Sequence, residues 1–249
     1  MIAIDTILSG FPGWTSRGAL GWGAIHLVTT ETGEKILFDT GATNQRPSLL
    51  PKLKEHGILP SDISTVILSH LHFDHASNWD YFIGSEIVVH ASDLEWALSA
   101  HGPVSELAFR SKAMREHAKL RVITEDCDLK PGLRIIHVPG HTPGSIALKL
   151  DRIVICGDAV KNRWELQGDV PTVPASSGPK SLWNAQAFIK SLEKLTSGAD
   201  KLYPGHDSPL LRTRGGWEPE ADPTVGLFFP NGQSQELKFI EDKGLSGHS

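Results

Sequence analysis

The chain has 249 residues, of which 39% are hydrophobic and 21% charged, and its formal net charge is −5. This length is sufficient for one large α/β core, and the acidic balance argues against a nucleic-acid partner, because general nucleic-acid affinity depends on basic surface. No apolar run approaches the roughly 18 residues of a membrane span, and the N-terminus lacks a basic region followed by an apolar stretch, so we expect neither a membrane segment nor a secretory signal.

In the first half of the chain, short apolar runs predict strands and one helical spacing predicts a helix. The strands are expected at 2–8, 23–29, 35–38, 66–68 and 87–89, and the helix at 47–56. A segment rich in Gly and Trp, residues 10–23, separates the first two strands. Two interpretations of this segment are equally compatible with its sequence: a flexible flap over an apolar substrate, and a hairpin loop packed on a sheet.

The second half predicts a helix beginning at Ser92, further helices over 105–118 and 181–196, and several more strands. Those strands are expected near 120–124, 133–138, 145–150, 152–156 and 202–203. Two sheets with helices outside fit this order, so residues 1–249 are expected to form a single domain. From Thr213 onward Gly, Pro and polar residues dominate, and 213–249 are expected to form a peripheral C-terminal extension. The sequence does not decide whether this extension contains a short strand or helix or only packs over the surface.

Cysteine usage is sparse. The chain has only two cysteines, Cys127 and Cys156, with no CxxC spacing. They form no disulfide framework, and this usage fits a reducing cytoplasm, where we expect the protein to be located.

The run His70-Leu71-His72-Phe73-Asp74-His75 packs three imidazoles and one carboxylate into six residues. His70 and His72 are two residues apart at a strand end, so in an extended segment they share a face and can reach one ion. His141, in a turn of Gly and Pro residues, is the natural third ligand. Three histidines and an open position for water are typical of a catalytic zinc site.

A second metal site is predicted beside the first. Asp74 and His75 lie on the same loop and can begin it, and His206 in Pro-Gly-His-Asp would complete it. Asp158 in Cys-Gly-Asp has two carboxylate oxygens, so it can bridge both ions. A metal-held hydroxide is a hydrolytic nucleophile at neutral pH, and the chain is therefore predicted to be a metal-dependent hydrolase.

This ordered set of motifs resembles the metallo-β-lactamase superfamily over about residues 20–210. The resemblance implies an α+β fold, a four-layer αββα sandwich with the di-metal site at the edge between the two sheets. It implies two divalent ions, zinc by preference, with Mn, Fe and Co also compatible with such ligands. It further implies that Asp39, in Phe38-Asp39-Thr40-Gly41, supports the site without binding metal.

Two departures narrow the subgroup. Asp158 stands where the antibiotic-hydrolysing enzymes have a cysteine, which makes the chain similar to the lactonase, glyoxalase-II and phosphodiesterase-like branches. Acyl-homoserine lactonases typically show a tyrosine three residues after the bridging aspartate, and here that residue is Lys161. The lactonase-like reading therefore does not extend to homoserine-lactone specificity.

We hypothesise that a metal-bridging hydroxide attacks the carbonyl carbon of a small ester, lactone or thioester. Asp74, as ligand or acceptor, would orient the hydroxide and pass a proton to the leaving group. Five side chains are candidates for contact with this small-molecule substrate, for their aromatic area or their positive charge. They are Trp14, Trp22, Phe73, Lys161 and Arg163.

Alternatives stay open. A phosphodiesterase or nuclease of the same fold would suit Lys161 and Arg163, and a mononuclear iron dioxygenase resembling the persulfide dioxygenases would use mainly His70, His72 and either Asp158 or His141. A non-catalytic binding module is disfavoured because every expected ligand is present. The sequence leaves open the substrate, the native metal and whether the chain forms a homo-oligomer.

Overall fold

A computed structural model describes residues 2–11, 13–15, 18–99, 106–167, 184–222, 224–228 and 233–238. The strands are β1 (Ala3–Leu8), β2 (Trp14–Thr15), β3 (Gly18–Ala19), β4 (Ile25–Thr29), β5 (Lys35–Phe38), β6 (Ile63–Ile67), β7 (Glu86–His90), β8 (Lys119–Ile123), β9 (Cys127–Lys130), β10 (Leu133–His137), β11 (Ile146–Leu150), β12 (Ile153–Gly157), β13 (Lys201–Pro204), β14 (Leu210–Thr213), β15 (Gly216–Pro219), β16 (Thr224–Phe228) and β17 (Ser234–Lys238). The helices are α1 (Arg46–Glu55), α2 (Phe73–Ala76), α3 (Ala91–Ser99), α4 (Glu106–His117) and α5 (Ala185–Thr196).

Two mixed sheets form the centre of the fold. The first has the strand order β1-β4-β5-β6-β7-β8, and the second has the order β15-β14-β13-β12-β11-β10-β9. In the first sheet β5, β6, β7 and β8 run parallel, and in the second sheet β12 and β13 are a parallel pair. Parallel neighbours end at the same edge of their sheet, which is the edge that carries the candidate site.

The apolar residues of the strands are divided between three cores, because successive side chains point to opposite faces of a sheet. In β5, Ile36 and Phe38 pack in the core between the two sheets, while Leu37 packs in the core that includes Leu49 of α1. The third core joins the outer face of the second sheet to α5. Each fully buried Leu or Ile contributes about 1.5–3 kcal/mol, so these faces hold the layers together.

The layers are thus helices, sheet, sheet and helices, which confirms the expected αββα sandwich. The helix predicted over 47–56 is α1, and the one over 105–118 is α4. The helix predicted over 181–196 is described from Ala185, after the N-cap Asn184, whose side chain accepts from the amide of Ala187. Residues 181–183 of that prediction lie outside the described residues.

Some elements carried no clear signal in the sequence. The edge strand β9 was not predicted, and the region from Thr213 was left open. The strand β14, which ends at Thr213, and the strand β15 form an antiparallel hairpin that extends the second sheet. Further along, β16 pairs with β17 in a separate hairpin. Across the described residues, no helix is long and apolar enough to cross a bilayer.

Candidate metal centre

His70 and His72 lie on the loop that follows the buried strand β6, and His141 lies on the loop that follows β10. The three imidazoles, which we call the three-histidine group, meet at their ring nitrogens. His72 Nδ1 is 2.9 Å from His70 Nε2 and 2.9 Å from His141 Nε2. Ligands of a tetrahedral zinc ion, at about 2.0–2.1 Å from the metal, lie about 3.3 Å apart, so this group could hold such an ion.

A second group, which we call the mixed group, consists of Asp74, His75 and His206. Asp74 and His75 belong to the short helix α2, whereas His206 follows β13. His206 Nε2 lies 3.3 Å from Asp74 Oδ2 and 3.4 Å from His75 Nε2. Carboxylate and imidazole ligands this close together are also a set that could hold a metal ion.

Asp158 follows β12 and lies between the two groups. Its Oδ1 is 3.1 Å from His75 Nε2 and 3.2 Å from His206 Nε2. Its Oδ2 is 3.3 Å from His141 Nε2. Among the described residues the buried Oδ1 accepts no hydrogen bond of good geometry. A buried carboxylate oxygen without a partner is unfavourable, so this donor set fits divalent cations placed on either side of Asp158.

The two groups differ in their pKa values. Burial lowers the pKa of His72 to about 4 and holds the pKa values of His70 and His141 well below the ordinary range. Burial opposes protonation of His206 as well, but Asp158 and Asp74 outweigh it and raise the pKa of His206 to about 9. The imidazoles of the three-histidine group are therefore neutral at pH 7, whereas His206 is protonated unless a cation replaces the proton.

Asp39, directly after β5, holds two of the imidazoles in place. Its Oδ2 accepts from His75 Nδ1 at 2.7 Å and from the Ser69 hydroxyl at 2.7 Å. The Ser69 hydroxyl is in turn 3.0 Å from His70 Nδ1. Each ring is thereby fixed with Nε2 directed to the site, which is how carboxylates orient metal-binding histidines. Asp39 thus acts on the candidate centre through these rings, because its carboxylate contacts Nδ1 of His75 and not the Nε2 atom that faces the site.

The backbone around Asp39 is unusual. Asp39 has φ of +62°, a left-handed conformation that is uncommon outside Gly and Asn. Gly157, before Asp158, has φ of +51°, and a Cβ there would lie 2.5 Å from the side chain of Ser69. Only glycine allows the two loops to approach so closely. The strained turn and the close approach both serve to bring Ser69 and Asp158 together.

Arg163, a candidate for substrate contact, is paired with carboxylates of the protein. Its guanidinium donates to Asp207 at 2.8 and 2.7 Å, and to Asp222 at 2.9 Å. Every nitrogen of the guanidinium is thus engaged, and Asp207 is buried beside His206. Arg163 therefore ties the loop after Asp158 to the loop of His206, and its side chain is only 12% exposed.

Lys161 does reach the site. Its Nζ lies 3.5 Å from Asp158 Oδ2, and a third of its side chain is exposed. The backbone N–H of Lys161 donates to the buried carboxylate of Glu165 at 2.6 Å, which fixes the loop. Burial raises the pKa of Glu165 to about 7. An ammonium group thus borders the metal centre on the solvent side.

The aromatic candidates lie around the rim or outside the described atoms. Phe73 is 47% exposed, and its ring lies against the backbone of Gly21. Trp22 stacks obliquely on Phe11 with ring centroids 6.0 Å apart, and the backbone of Phe11 pairs with that of Trp22. The described part of segment 10–23 forms a hairpin, β2 with β3. The side chain of Trp14 lies outside the described atoms.

A cleft of about 550 Å³ lies beside the loop that follows His206, and none of the proposed metal ligands is among its described lining residues. It is bounded by the chain after β1, the start of α1, the loop after His206 and the strand β16. Its lining combines apolar side chains with hydroxyl, amide and carboxylate groups. The lining residues are Leu8, Ser9, Gly10, Phe11, Trp22, Asn44, Gln45, Ser48, Ser208, Ala221, Asp222, Thr224 and Val225.

Several residues that shape the site were not predicted from the sequence. Ser69 and Asp207 stand directly beside predicted ligands, and that position is the signal that could have found them. Asp93 and Glu165 carry no such signal, because a Ser-Asp pair at the start of a helix indicates only capping. Both carboxylates are nevertheless buried next to ligand loops.

Comparison with known proteins agrees with this geometry. The family model of the metallo-β-lactamase superfamily matches residues 23–206. An N-acyl homoserine lactonase of a Bacillus species is 28% identical over 214 residues, which cover 73% of this chain and 80% of the relative. A probable metallo-hydrolase of Methanocaldococcus jannaschii is 32% identical over 187 residues, 70% of this chain and 82% of the relative.

Solved structures agree in fold. A metallo-β-lactamase structure from Thermotoga maritima has a TM-score of 0.68 at 20% identity and covers 84% of this chain and 99% of its own. A variant of AiiA from B. thuringiensis, with N-decanoyl-L-homoserine bound at its active site, has a TM-score of 0.59 at 22% identity and covers 74% of this chain and 80% of its own. The chain therefore belongs to the metallo-β-lactamase superfamily and is a hydrolytic enzyme of that fold.

Proposed function

We propose that this hydrolase binds two divalent cations, zinc by preference, and cleaves a small ester, lactone or thioester. The observation that carries the proposal is the position of Asp158, whose two oxygens face different groups of ligands. The three-histidine group would hold one ion through nitrogen, and Asp74, His75 and His206 would hold the other. When bound, such ions supply a water of lowered pKa as nucleophile and an electrophile for the carbonyl oxygen.

Asp74 is proposed to serve the proton transfer. Burial opposes its ionisation, but His75 and His206 outweigh it and hold the pKa of Asp74 below its usual range. The carboxylate is therefore ionised at neutral pH and stands at the open side of the site, 13% exposed. In that state it can accept a hydrogen bond from the attacking water, take its proton and pass it to the leaving oxygen or sulfur.

Lys161 is proposed to favour substrates that carry an anionic group. Its ammonium borders Asp158 and is partly exposed, so a ligand carboxylate or a developing oxyanion beside the metal centre could pair with it. The relatives named as N-acyl homoserine lactonases support the lactone class. Because Lys161 replaces the tyrosine expected for homoserine-lactone specificity, an ester, lactone or thioester with an anionic group is the better candidate.

The test combines metal analysis with a substrate screen. The purified protein, loaded with zinc or manganese, would be assayed on lactones, thioesters and bis-p-nitrophenyl phosphate while bound metal is counted per chain. We expect two ions and turnover of carboxyl-derived substrates. Lys161→Met should raise KM for carboxylate-bearing substrates by about tenfold or more while leaving neutral ones unchanged, as loss of one charge-assisted contact implies. Lys112→Met, on the exposed face of α4, is the control.

Two other outcomes would replace this proposal. The position of Lys161 also favours a phosphodiesterase, since an ammonium at the centre suits a phosphate oxygen. Cleavage of the phosphodiester alone would establish that function instead. A single iron per chain with uptake of oxygen would establish the mononuclear dioxygenase reading.

A further inference from the structure

Asp93, the third residue of α3, is 1% exposed, and its partners among the described residues are Leu71, Gly144 and Thr142 rather than the proposed ligands. Its carboxylate nevertheless connects two loops of the candidate centre. Oδ2 accepts from the backbone N–H of Leu71 at 2.6 Å, and Oδ1 accepts from the backbone N–H of Gly144 at 3.2 Å. A single buried carboxylate thus joins two loops that are distant in the sequence, since Leu71 lies 22 positions before Asp93 and Gly144 lies 51 positions after it.

Both accepted amides stand next to proposed ligands. Leu71 lies between His70 and His72, so its peptide orientation determines how those two imidazoles are presented. Its carbonyl oxygen is held too, by the guanidinium of Arg110 at 3.2 Å. Gly144 closes the turn that begins at His141. The bond from Asp93 therefore fixes the distance between the loop of His72 and the loop of His141.

The packing around Gly144 is independent evidence for the same connection. A Cβ on Gly144 would lie 2.4 Å from the backbone nitrogen of Asp93 and 2.6 Å from its Cβ. The turn of His141 is therefore in direct backbone contact with the first turn of α3. The side chain of Thr142, fully buried in the same turn, also lowers the pKa of Asp93 against the effect of burial.

The mixed group is held differently. His75 is oriented by Asp39, and the contacts of Asp93 reach neither His75 nor His206. A change at Asp93 should therefore affect one half of the centre and leave the other.

We propose that Asp93 is a positioning residue that sets the spacing of the three-histidine group by joining its two loops. The inference rests on the proposed function, since it takes that group as a metal site. In Asp93→Asn the amide can accept only with its one oxygen, and its NH₂ faces the other N–H donor. One loop is then released, and the three nitrogens no longer converge within the tolerance of a tetrahedral site.

The experiment is a titration of the chelator-treated full chain with Co²⁺, followed by visible absorption and by metal counting. In wild type we expect two ions, and the absorption band that His72→Ala abolishes is assigned to the three-histidine group. In Asp93→Asn we expect that band to require at least about tenfold more Co²⁺, a loss typical of removing an orienting partner, while the second ion binds as in wild type. Amide hydrogen exchange at Leu71 and Gly144 should be faster in the variant.

Ser85→Ala is the matched control for stability. Ser85 is 2% exposed and donates one buried hydrogen bond to Ile63, at the ends of β6 and β7 remote from the ligand loops. It should lower the melting temperature without changing the Co²⁺ titration. If Asp93→Asn does not fold, Gly144→Ala provides the test, because its Cβ displaces the turn of His141 without altering any charge.

The outcomes separate the inference from the proposal beneath it. Unchanged affinity for both ions in the Asp93 and Gly144 variants would overturn the positioning role alone. An equal loss at both halves, in step with the melting temperature, would also overturn it, because it would indicate a general structural role. A wild-type chain that binds no Co²⁺ would overturn the proposed function and this inference together.

Discussion

The three-histidine group and the mixed group share one loop and lie on either side of the Asp158 carboxylate, yet the pKa values of their imidazoles are shifted in opposite directions. His72 has its pKa lowered to about 4, mainly by burial, whereas His206 has its pKa raised to about 9 by the carboxylates that outweigh burial. One half of the centre is a neutral nitrogen pocket and the other is a charged pocket of mixed ligands. The comparison teaches that two neighbouring groups of candidate metal ligands need not have the same affinity, metal preference or pH dependence.

The difference originates in local backbone structure. His70 and His72 lie in the extended chain after β6, so they project beside each other toward the loop of His141. Asp74 and His75 follow within the short helix α2, which rotates them toward the loop after β13. A change from extended to helical chain at His72, the N-cap of α2, therefore divides a six-residue motif between two positions.

Replacement of the shared carboxylate should have the largest effect, because it removes a ligand from both halves. We expect Asp158→Ala to lose activity by at least about 10³-fold, since even one lost oxyanion donor costs 10²–10³-fold in a hydrolase. Bound metal should fall below one ion per chain. Activity would be measured with metal content on the same sample, and Asp128→Ala, on the exposed face of β9, is the control. Normal turnover in the Asp158 variant would remove the basis for a bridged centre.

A pair of single replacements should separate the halves. His72→Ala is expected to empty the three-histidine group alone, and His206→Ala the mixed group alone, so each variant should retain one ion. Activity should fall by about 10²-fold or more in both, because one electrophilic contact is lost in each case. Metal counting after dialysis checks the result. If either variant loses both ions, the halves do not bind independently and the comparison fails.

Much of this arrangement could be predicted from the sequence. The predicted ligands lie on loops or a short helix that follow apolar strands, so the strand pattern places each of them at a strand end. Their convergence between two different sheets was implied by the family resemblance and not by the strand pattern. The helices α1, α4 and α5 were predicted from the spacing of their apolar residues, and the signal is strongest in α5, where Phe188 and Leu195 are buried on one face. The edge strands β9 and β15 are short and half polar, and their pairing depends on neighbours that the local sequence does not show.

Side-chain partners distant in the sequence could not be predicted. Arg163 was expected to face a substrate, but Asp207, 44 residues away, binds its guanidinium. Nothing near Arg163 in the sequence indicates that the loop of His206 packs against it. Asp93 presents the same difficulty, because the two amides that it binds become neighbours only when the first sheet and the second sheet are assembled.

The pH dependence of metal affinity should distinguish the halves next. In protein stripped of metal, His206, with its pKa raised to about 9, holds a proton at pH 7 that a cation must displace. Burial opposes protonation of His75 as well, but Asp158, Asp39 and Asp74 outweigh it and raise the pKa of His75 well above its ordinary value, so a second proton must be displaced. Affinity of the mixed group should thus rise by more than about tenfold per pH unit from pH 7 to 9. His72, with its pKa lowered to about 4, is neutral throughout, so the affinity of the three-histidine group should not change over that range. Competition with a chelator in the His72→Ala and His206→Ala variants measures each half; equal slopes would contradict the assignment.

The smallest expected effect concerns Asp39, which supports the two halves unequally. Asp39→Asn keeps the left-handed backbone, which Asn tolerates, but its NH₂ group faces the Nδ1–H of His75 and disfavours the tautomer that leaves Nε2 free. Loss of such a partner typically lowers metal affinity by about 10–100-fold. We expect the mixed group to lose more than the three-histidine group, because His75 contacts Asp39 directly whereas His70 reaches it only through Ser69.

The control for this variant is Asp151→Asn. Asp151 is the other non-glycine residue of the described chain with positive φ, +50°, and it lies in an exposed turn. The same substitution in the same backbone conformation should leave both affinities unchanged. Chelator competition on each half again provides the measurement. A larger loss in the three-histidine group than in the mixed group would show that orientation passes mainly through Ser69, and the direct contact with His75 would then be the weaker constraint.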